Sequence, residues 1–172
     1  MANLVILTAE EFKALDPLQR QASRRAARQE PLLRVILRTF LQRGGLIPVE
    51  DIIAASPDAH PAVLHDALVA LDDDDLIRVR DSQIDVAYPF SGAPTPFLVR
   101  LSAGERYACC ATDALGIAPM VGEPLEITSS CHHCGEPLKF VATPHGVGLD
   151  AEGLMVWFGK RGDEGCKAFD SL

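Results

Sequence analysis

The chain has 172 residues, a net charge of −8 and an ordinary apolar fraction. That length serves one domain with a real core, or two small lobes sharing a surface. The acidic balance excludes a nucleic-acid surface spread over the whole protein, and no run approaches the roughly 18 apolar residues of a membrane span.

Residues 1–7 are apolar, but they lack a basic start and soon reach Glu10 and Glu11. They do not read as a signal peptide, and a cytoplasmic protein is expected. Residues 8–29 read as one amphipathic helix, broken or kinked at Asp16-Pro17, with Thr8 as N-cap and Glu11 completing a capping box. Its basic run, Arg20, Arg24, Arg25 and Arg28, reads as a solvated helical face rather than a phosphate-binding arm. A second helix is predicted over residues 31–43, with Leu32, Val35, Ile36, Thr39 and Phe40 at helical spacing and Gly44-Gly45 to end it. A short helix over 49–55 follows, then one over 60–71 with Val63, Ala67, Leu68 and Leu71 on one face. The four aspartates at 72–75 mark a helix end and turn, and a hard cation there needs further ligands from elsewhere.

Residues 76–80 and 84–88 alternate apolar and polar side chains around a turn at Asp81-Ser82-Gln83, the pattern of a half-buried hairpin. Helices followed by a hairpin is the order of a winged helix-turn-helix. The would-be recognition helix carries no Arg, Lys, Asn or Gln to read base edges, and Asp66 and Asp72 would face phosphates. A structural lobe without a nucleic-acid partner is therefore expected. The prolines of residues 89–96 mark a linker. Beyond it, strands are predicted over 97–101, 125–128, 138–142 and 154–158, with a helix over 109–116 closed by Pro119. The sum is an α+β chain. A winged-helix-like helical lobe spans 1–88, a Pro-rich linker 89–96, and a thiol-bearing lobe of small mixed or antiparallel sheet 97–172.

Five cysteines, all after residue 108, make an odd number confined to the last third of the chain. That distribution favours metal binding or thiol chemistry over a secreted disulfide scaffold. Cys110 and Asp113 stand three apart, on one face of the predicted helix. Cys110 falls near the helix start, where free backbone N–H groups and the dipole favour a thiolate, and Asp113 can accept its proton and pass it on. Cys131-His-His-Cys134 has the spacing of a zinc knuckle, for which Cys166 or Cys109 can supply a third ligand. His132, His133 and His145 read as exposed loop residues. Thiolates select soft metals, namely Cu(I), Zn(II) and above all Hg(II). Two thiolates and a carboxylate can grip an organometal and protonate its carbon.

The segments Ala87-Tyr88-Pro89-Phe90-Ser91, Pro94-Thr95-Pro96, Val99-Arg100-Leu101, Cys110-Ala-Thr-Asp113-Ala-Leu-Gly-Ile117 and Ser129-Ser130-Cys131 resemble those of the alkylmercury (organomercurial) lyases. The likeness covers roughly residues 30–160, and its most specific parts are the Cys-Ala-x-Asp-Ala-Leu segment and the 21-residue step from Cys110 to Cys131. The resemblance implies protonolysis of carbon–mercury bonds to a hydrocarbon and Hg(II), with no cofactor beyond external thiols. It implies a small organomercurial substrate, and thiol reductants or a mercuric-ion acceptor protein as partners, with neither nucleic acid nor membrane. Cys110 matches the first catalytic cysteine, Asp113 the catalytic aspartate, and Cys131 a cysteine regarded as structural. Cys166 is the only later cysteine available as the second catalytic thiol. The chain departs from the family there, because an apolar strand and several tens of residues are expected after that cysteine and only residues 167–172 follow. Cys166 is therefore expected on a tail that traps metal but is poorly preorganised, with Cys134 as an alternative for metal retention. The expected catalytic set is Cys110, Asp113 and Cys166, and the expected metal ligands are Cys110, Cys166, Cys131 and Cys134. The rival readings are a non-catalytic Hg, Cu or Zn thiolate protein on the same fold, for which Asp113 is superfluous, and a metal-responsive winged-helix regulator, which the acidic recognition helix disfavours.

Overall fold

The computed structural model describes residues 30–157, together with residues 7, 8, 10, 11 and 14. The predicted helix over 8–29 lies almost wholly outside these, as do Phe158 and Cys166. At its start, Thr8 and Glu11 exchange the bonds of a capping box: the Glu11 N–H donates to Thr8 Oγ1 at 3.2 Å, and the Thr8 N–H to Glu11 Oε2 at 2.8 Å.

Helix α1 (Glu30–Arg43) buries Leu32, Leu33, Ile36 and Phe40, one apolar stripe at three- and four-residue spacing. A two-residue strand β1 (Ile47–Pro48) leads into α2 (Val49–Ala54), and α3 follows (Pro61–Asp73). His60 caps α3, its Nδ1 accepting the Ala62 N–H at 3.3 Å, and Pro61 takes the first helical position, where no N–H is needed. The buried face of α3 is Leu64, Ala67, Leu68 and Leu71. Val63, expected on that face, is 62% exposed, because Leu64 completes the four-residue repeat with Leu68 while Val63 falls outside the stripe. Strands β2 (Ile77–Arg80) and β3 (Gln83–Ala87) form the predicted hairpin, with Asp81 and Ser82 both at positive φ in its two-residue turn.

The segment 89–96 does more than link. Phe90–Ser91 forms strand β4, which pairs with β3 through Val86↔Ser91 and with β6 (Gly104–Ala108) through Phe90↔Ala108. Proline at 89 and 94 shortens the strand to two residues, but both of these are buried, and β4 carries the sheet across. Beyond it come β5 (Leu98–Leu101), helix α4 (Ala111–Val121), β7 (Leu125–Ser130), β8 (Pro137–Thr143) and β9 (Gly146–Val147). Pro119 lies inside α4 rather than closing it, and Gly122 ends the helix in the left-handed region. Residues 154–157, predicted as the start of a strand, have no regular structure and no partner strand among the described residues, and Met155 and Trp157 are largely exposed.

Among the described residues the result is one antiparallel sheet of nine strands in the order β1-β3-β4-β6-β5-β7-β8-β9, with β2 on β3. Helices α1 and α3 pack on its first part and α4 on β6, β7 and β8. A single apolar cluster runs through from Leu32 to Ala142, including Phe40 stacked on Phe90 at 6.2 Å between centroids. No helix among the described residues is long and apolar enough to cross a membrane.

One buried cation joins the helical part to the sheet. Arg106 of β6 is 7% exposed, and its guanidinium donates to Phe40 O at 2.8 Å and to Leu41 O at 2.5 and 3.0 Å, carbonyls of the last turn of α1. It also bonds its own strand, at Glu105 O and Ala103 O. Gly44, at φ +68°, brings the end of α1 so close that a Cβ there would stand 3.1 Å from Arg106 Cδ. Arg106→Leu removes the donor to Leu41 O, while Phe40 O keeps the Gly44 N–H at 2.9 Å, so a stability loss of about 3 kcal/mol in urea unfolding is expected. Arg106→Lys should recover part of it, since an ammonium cannot span the same fork. A loss below about 1 kcal/mol for the leucine variant would show that the contact is dispensable.

Candidate active site

Strand β6 runs directly into α4, and Cys110 stands at the junction as the helix N-cap with extended φ and ψ of −150° and −179°. Its carbonyl accepts the Ala114 N–H at 2.9 Å, while its side chain makes no capping bond and stays available for other partners. Those partners are close. The Cys110 thiol donates to Asp113 Oδ2 at 3.0 Å, and Cys110 Sγ shares a hydrogen bond with Thr112 Oγ1 at 2.9 Å. One turn of helix thus holds a nucleophile, a proton acceptor and a hydroxyl in mutual contact.

The helix start was expected to favour a thiolate. Burial and the negative charge of Asp113 prevail instead, and they push the Cys110 thiol up to about 11, against partial opposition from the Thr112 hydroxyl and the Asp113 backbone. The resting group is therefore a thiol whose proton already points at its acceptor. Thr112 was not singled out from the sequence; a hydroxyl in the first turn after an N-cap cysteine is the signal that would have found it.

Cys109 has a different fate. It is 4% exposed, packs with Val86 and Tyr88, and donates to Phe90 O at 3.2 Å. Burial first, then the charge of Asp113, raises its thiol far above the ordinary value. Beneath it, Arg78 and Asp85 form a buried bidentate pair at 2.8 and 2.7 Å.

Cys131 reaches the same region by sheet register. Leu98 of β5 faces Tyr107 of β6 on one side and Thr128 of β7 on the other. Strands β6 and β7 therefore run in the same direction, and Cys110 and Cys131 each follow three residues beyond these positions. Tyr107 and Thr128 stand two strand spacings apart, ~10 Å, and the two cysteines follow at the same end of the sheet. Ser129, on the same pleat face as Leu125 and Ile127, has a buried Oγ without a hydrogen-bond partner among the described residues. Residues 131–136 close the β7–β8 hairpin: the Cys131 N–H donates to Glu136 O and the Gly135 N–H to Cys131 O, both at 2.8 Å, with Gly135 at φ +75°. Cys134 and both histidines of this turn are exposed. Cys109, Cys110, Cys131 and Cys134 are all free thiols. No three metal-ligating side chains converge among the described residues, so a zinc site with Cys109 as third ligand does not form. Cys166 lies outside the described residues.

Comparison with known proteins converges on one family. Residues 90–172 match the family model MerB: Alkylmercury lyase. The alkylmercury lyase of Staphylococcus epidermidis is 30% identical over 124 residues, covering 71% of this chain and 54% of that protein. The alkylmercury lyase of Streptomyces lividans is 30% identical over 125 residues, covering 71% and 55%. The chain thus spans about half the length of the curated relatives it matches. The crystal structure of the mercury-bound form of MerB2 superposes with a TM-score of 0.61 at 19% identity, over 76% of this chain and 64% of that one, a likeness of fold.

The titration of Cys110 is open to direct measurement. Its midpoint lies above the ordinary 9.0, so alkylation by iodoacetamide should be slow at pH 8 and climb until the pH passes about 11. Asp113→Asn removes the negative charge, which lowers the midpoint and should speed alkylation at pH 8 by roughly tenfold. An unmoved midpoint in that variant would eliminate Asp113 as a cause of the shift.

Proposed function

Because residues 90–172 match the alkylmercury lyase family model and 71% of the chain aligns with curated alkylmercury lyases, we propose that this chain is an organomercurial lyase that cleaves carbon–mercury bonds by protonolysis. The observation that carries the reading is the Cys110 thiol donating to Asp113 at 3.0 Å. A protein that merely stored metal has no use for a carboxylate at that place.

The chemistry follows from the protonated thiol. A soft organomercury cation meets Cys110 sulfur and forms a mercury–sulfur bond, and the displaced thiol proton passes to Asp113. A second thiolate, assigned to Cys166, adds to mercury and raises electron density on its carbon. Asp113 then returns the proton to that carbon, the carbon–mercury bond breaks, and the products are a hydrocarbon and Hg(II) held by two thiolates. Protons balance: the one lost by Cys110 is the one gained by carbon. Thr112 steadies the sulfur through its hydroxyl. External thiols, or a mercuric-ion acceptor protein in the cytoplasm, complete turnover by taking Hg(II), and no other cofactor is required.

The three helices and the β2–β3 hairpin serve in this reading as a winged-helix-like scaffold. The exposed face of α3, with Val63, His65, Asp66 and Val69, carries no Arg, Lys, Asn or Gln for base edges, which disfavours the regulator reading.

Single-turnover incubation with phenylmercury and excess free thiol tests the proposal. Wild type should release benzene and Cys110→Ala should release none. Asp113→Ala should slow release by about a hundredfold while still binding inorganic Hg(II). Cys166→Ala should slow it as well, and an unchanged rate would move the second thiol to another residue. Stoichiometric mercury binding without benzene would leave a soft-metal binder on a lyase fold.

A further inference from the structure

We propose that the Cys131–Cys134 turn is a second, surface dithiol site that takes Hg(II) from Cys110 and presents it to solvent. The transfer step rests on the lyase reading; the chelate itself does not.

Three features of the turn carry this. The Cys131 N–H donates to Glu136 O and the Gly135 N–H to Cys131 O, both at 2.8 Å, and these bonds close the loop. Both thiols therefore sit on one hydrogen-bonded turn, two residues between them, and the second is exposed at Cys134. No third ligand converges on them among the described residues. That suits an ion content with two collinear thiolates, as Hg(II) is, and not tetrahedral Zn(II), which needs four ligands. Finally, the register of β5 with β6 and β7 sets this turn at the same end of the sheet as Cys110. Exposure rises from the half-buried Cys110 and Cys131 to the exposed Cys134, the direction the transfer takes.

The exchange needs no oxidant or reductant. A mercury–sulfur bond forms to Cys131 as the one to Cys110 breaks, and the Cys131 proton goes to the departing Cys110 sulfur. Cys134 then replaces the second thiolate in the same way. Mercury stays Hg(II) throughout, and two thiols are regenerated for the next substrate.

The test uses the full-length chain carrying Cys110→Ala and Cys166→Ala, inorganic HgCl₂ at one equivalent, and N-ethylmaleimide with peptide mass spectrometry. Cys131 and Cys134 should be protected together with one mercury retained. Adding Cys134→Ser should weaken Hg(II) binding by about a hundredfold, since the intramolecular second thiolate is lost. Alkylation of both thiols at the metal-free rate, or equal protection by Zn(II), would overturn the chelate. In wild type loaded with one equivalent of Hg(II), Cys110 should be alkylated at its own metal-free rate while the turn stays protected. The reverse pattern would overturn the transfer. Because inorganic mercury is the probe, a chain unable to cleave phenylmercury would still give a clear answer here.

Discussion

A buried guanidinium holds this molecule together where it most needs holding. The last turn of a helix leaves carbonyls without partners and concentrates negative dipole charge. Arg106 answers both at the end of α1 with bonds to Phe40 and Leu41. Burial lowers its pKa, yet an arginine remains charged even so, and the carbonyl array is what makes the buried charge tolerable. Arg106 also stands on β6, four residues before Cys110. The cation that locks the helical layer to the sheet therefore locks the strand that delivers the reactive thiol.

A second buried pair acts nearby. Arg78 and Asp85 tie β2 to β3 in the hairpin, close enough to Cys109 to influence its titration. Cys109 and Cys110 are adjacent in sequence but opposite in circumstance. The first is sealed among Val86 and Tyr88 and bonded to a backbone carbonyl, while the second turns into the first turn of α4. Packing seals one cysteine and leaves its neighbour half-buried beside a carboxylate. At Cys110 itself the helix dipole is outweighed by burial and by Asp113, so sulfur waits as a thiol. For the proposed protonolysis that is the useful state: the proton sits on sulfur, with Sγ 3.0 Å from Asp113 Oδ2.

The sheet shows how far local sequence signals reach. Helices α1 and α3, the β2–β3 hairpin and strands β5, β7 and β8 were legible because each buries a face whose period is written in consecutive residues. The Cys110–Asp113 pairing was legible for the same reason, being a contact within one helical turn. The prolines near Phe90 hid β4, because a two-residue strand has no period to detect and takes its existence from β3 and β6 on either side. The apolar run at residues 154–157 misled in the opposite direction, since β propensity without a partner strand makes no sheet. Val63 was placed on the wrong side of α3 because the pattern admits both Val63 and Leu64, and only contact with α1 and the sheet selects between them.

By itself the sequence determined the type of most elements, the Cys110–Asp113 contact and the likeness to the alkylmercury lyases. These depend on residues a few positions apart, or on motif identity. Tertiary structure alone decided the rest. The protonation state of Cys110 depends on how deeply it is buried, and burial is a sum over distant neighbours. The approach of Cys131 to Cys110 depends on β5 pairing with two strands at Leu98, which no spacing in the chain encodes. The union of the helical part with the sheet depends on Arg106 reaching carbonyls 65 and 66 positions away in sequence, and hydrogen bonds of that range form only after the chain has folded.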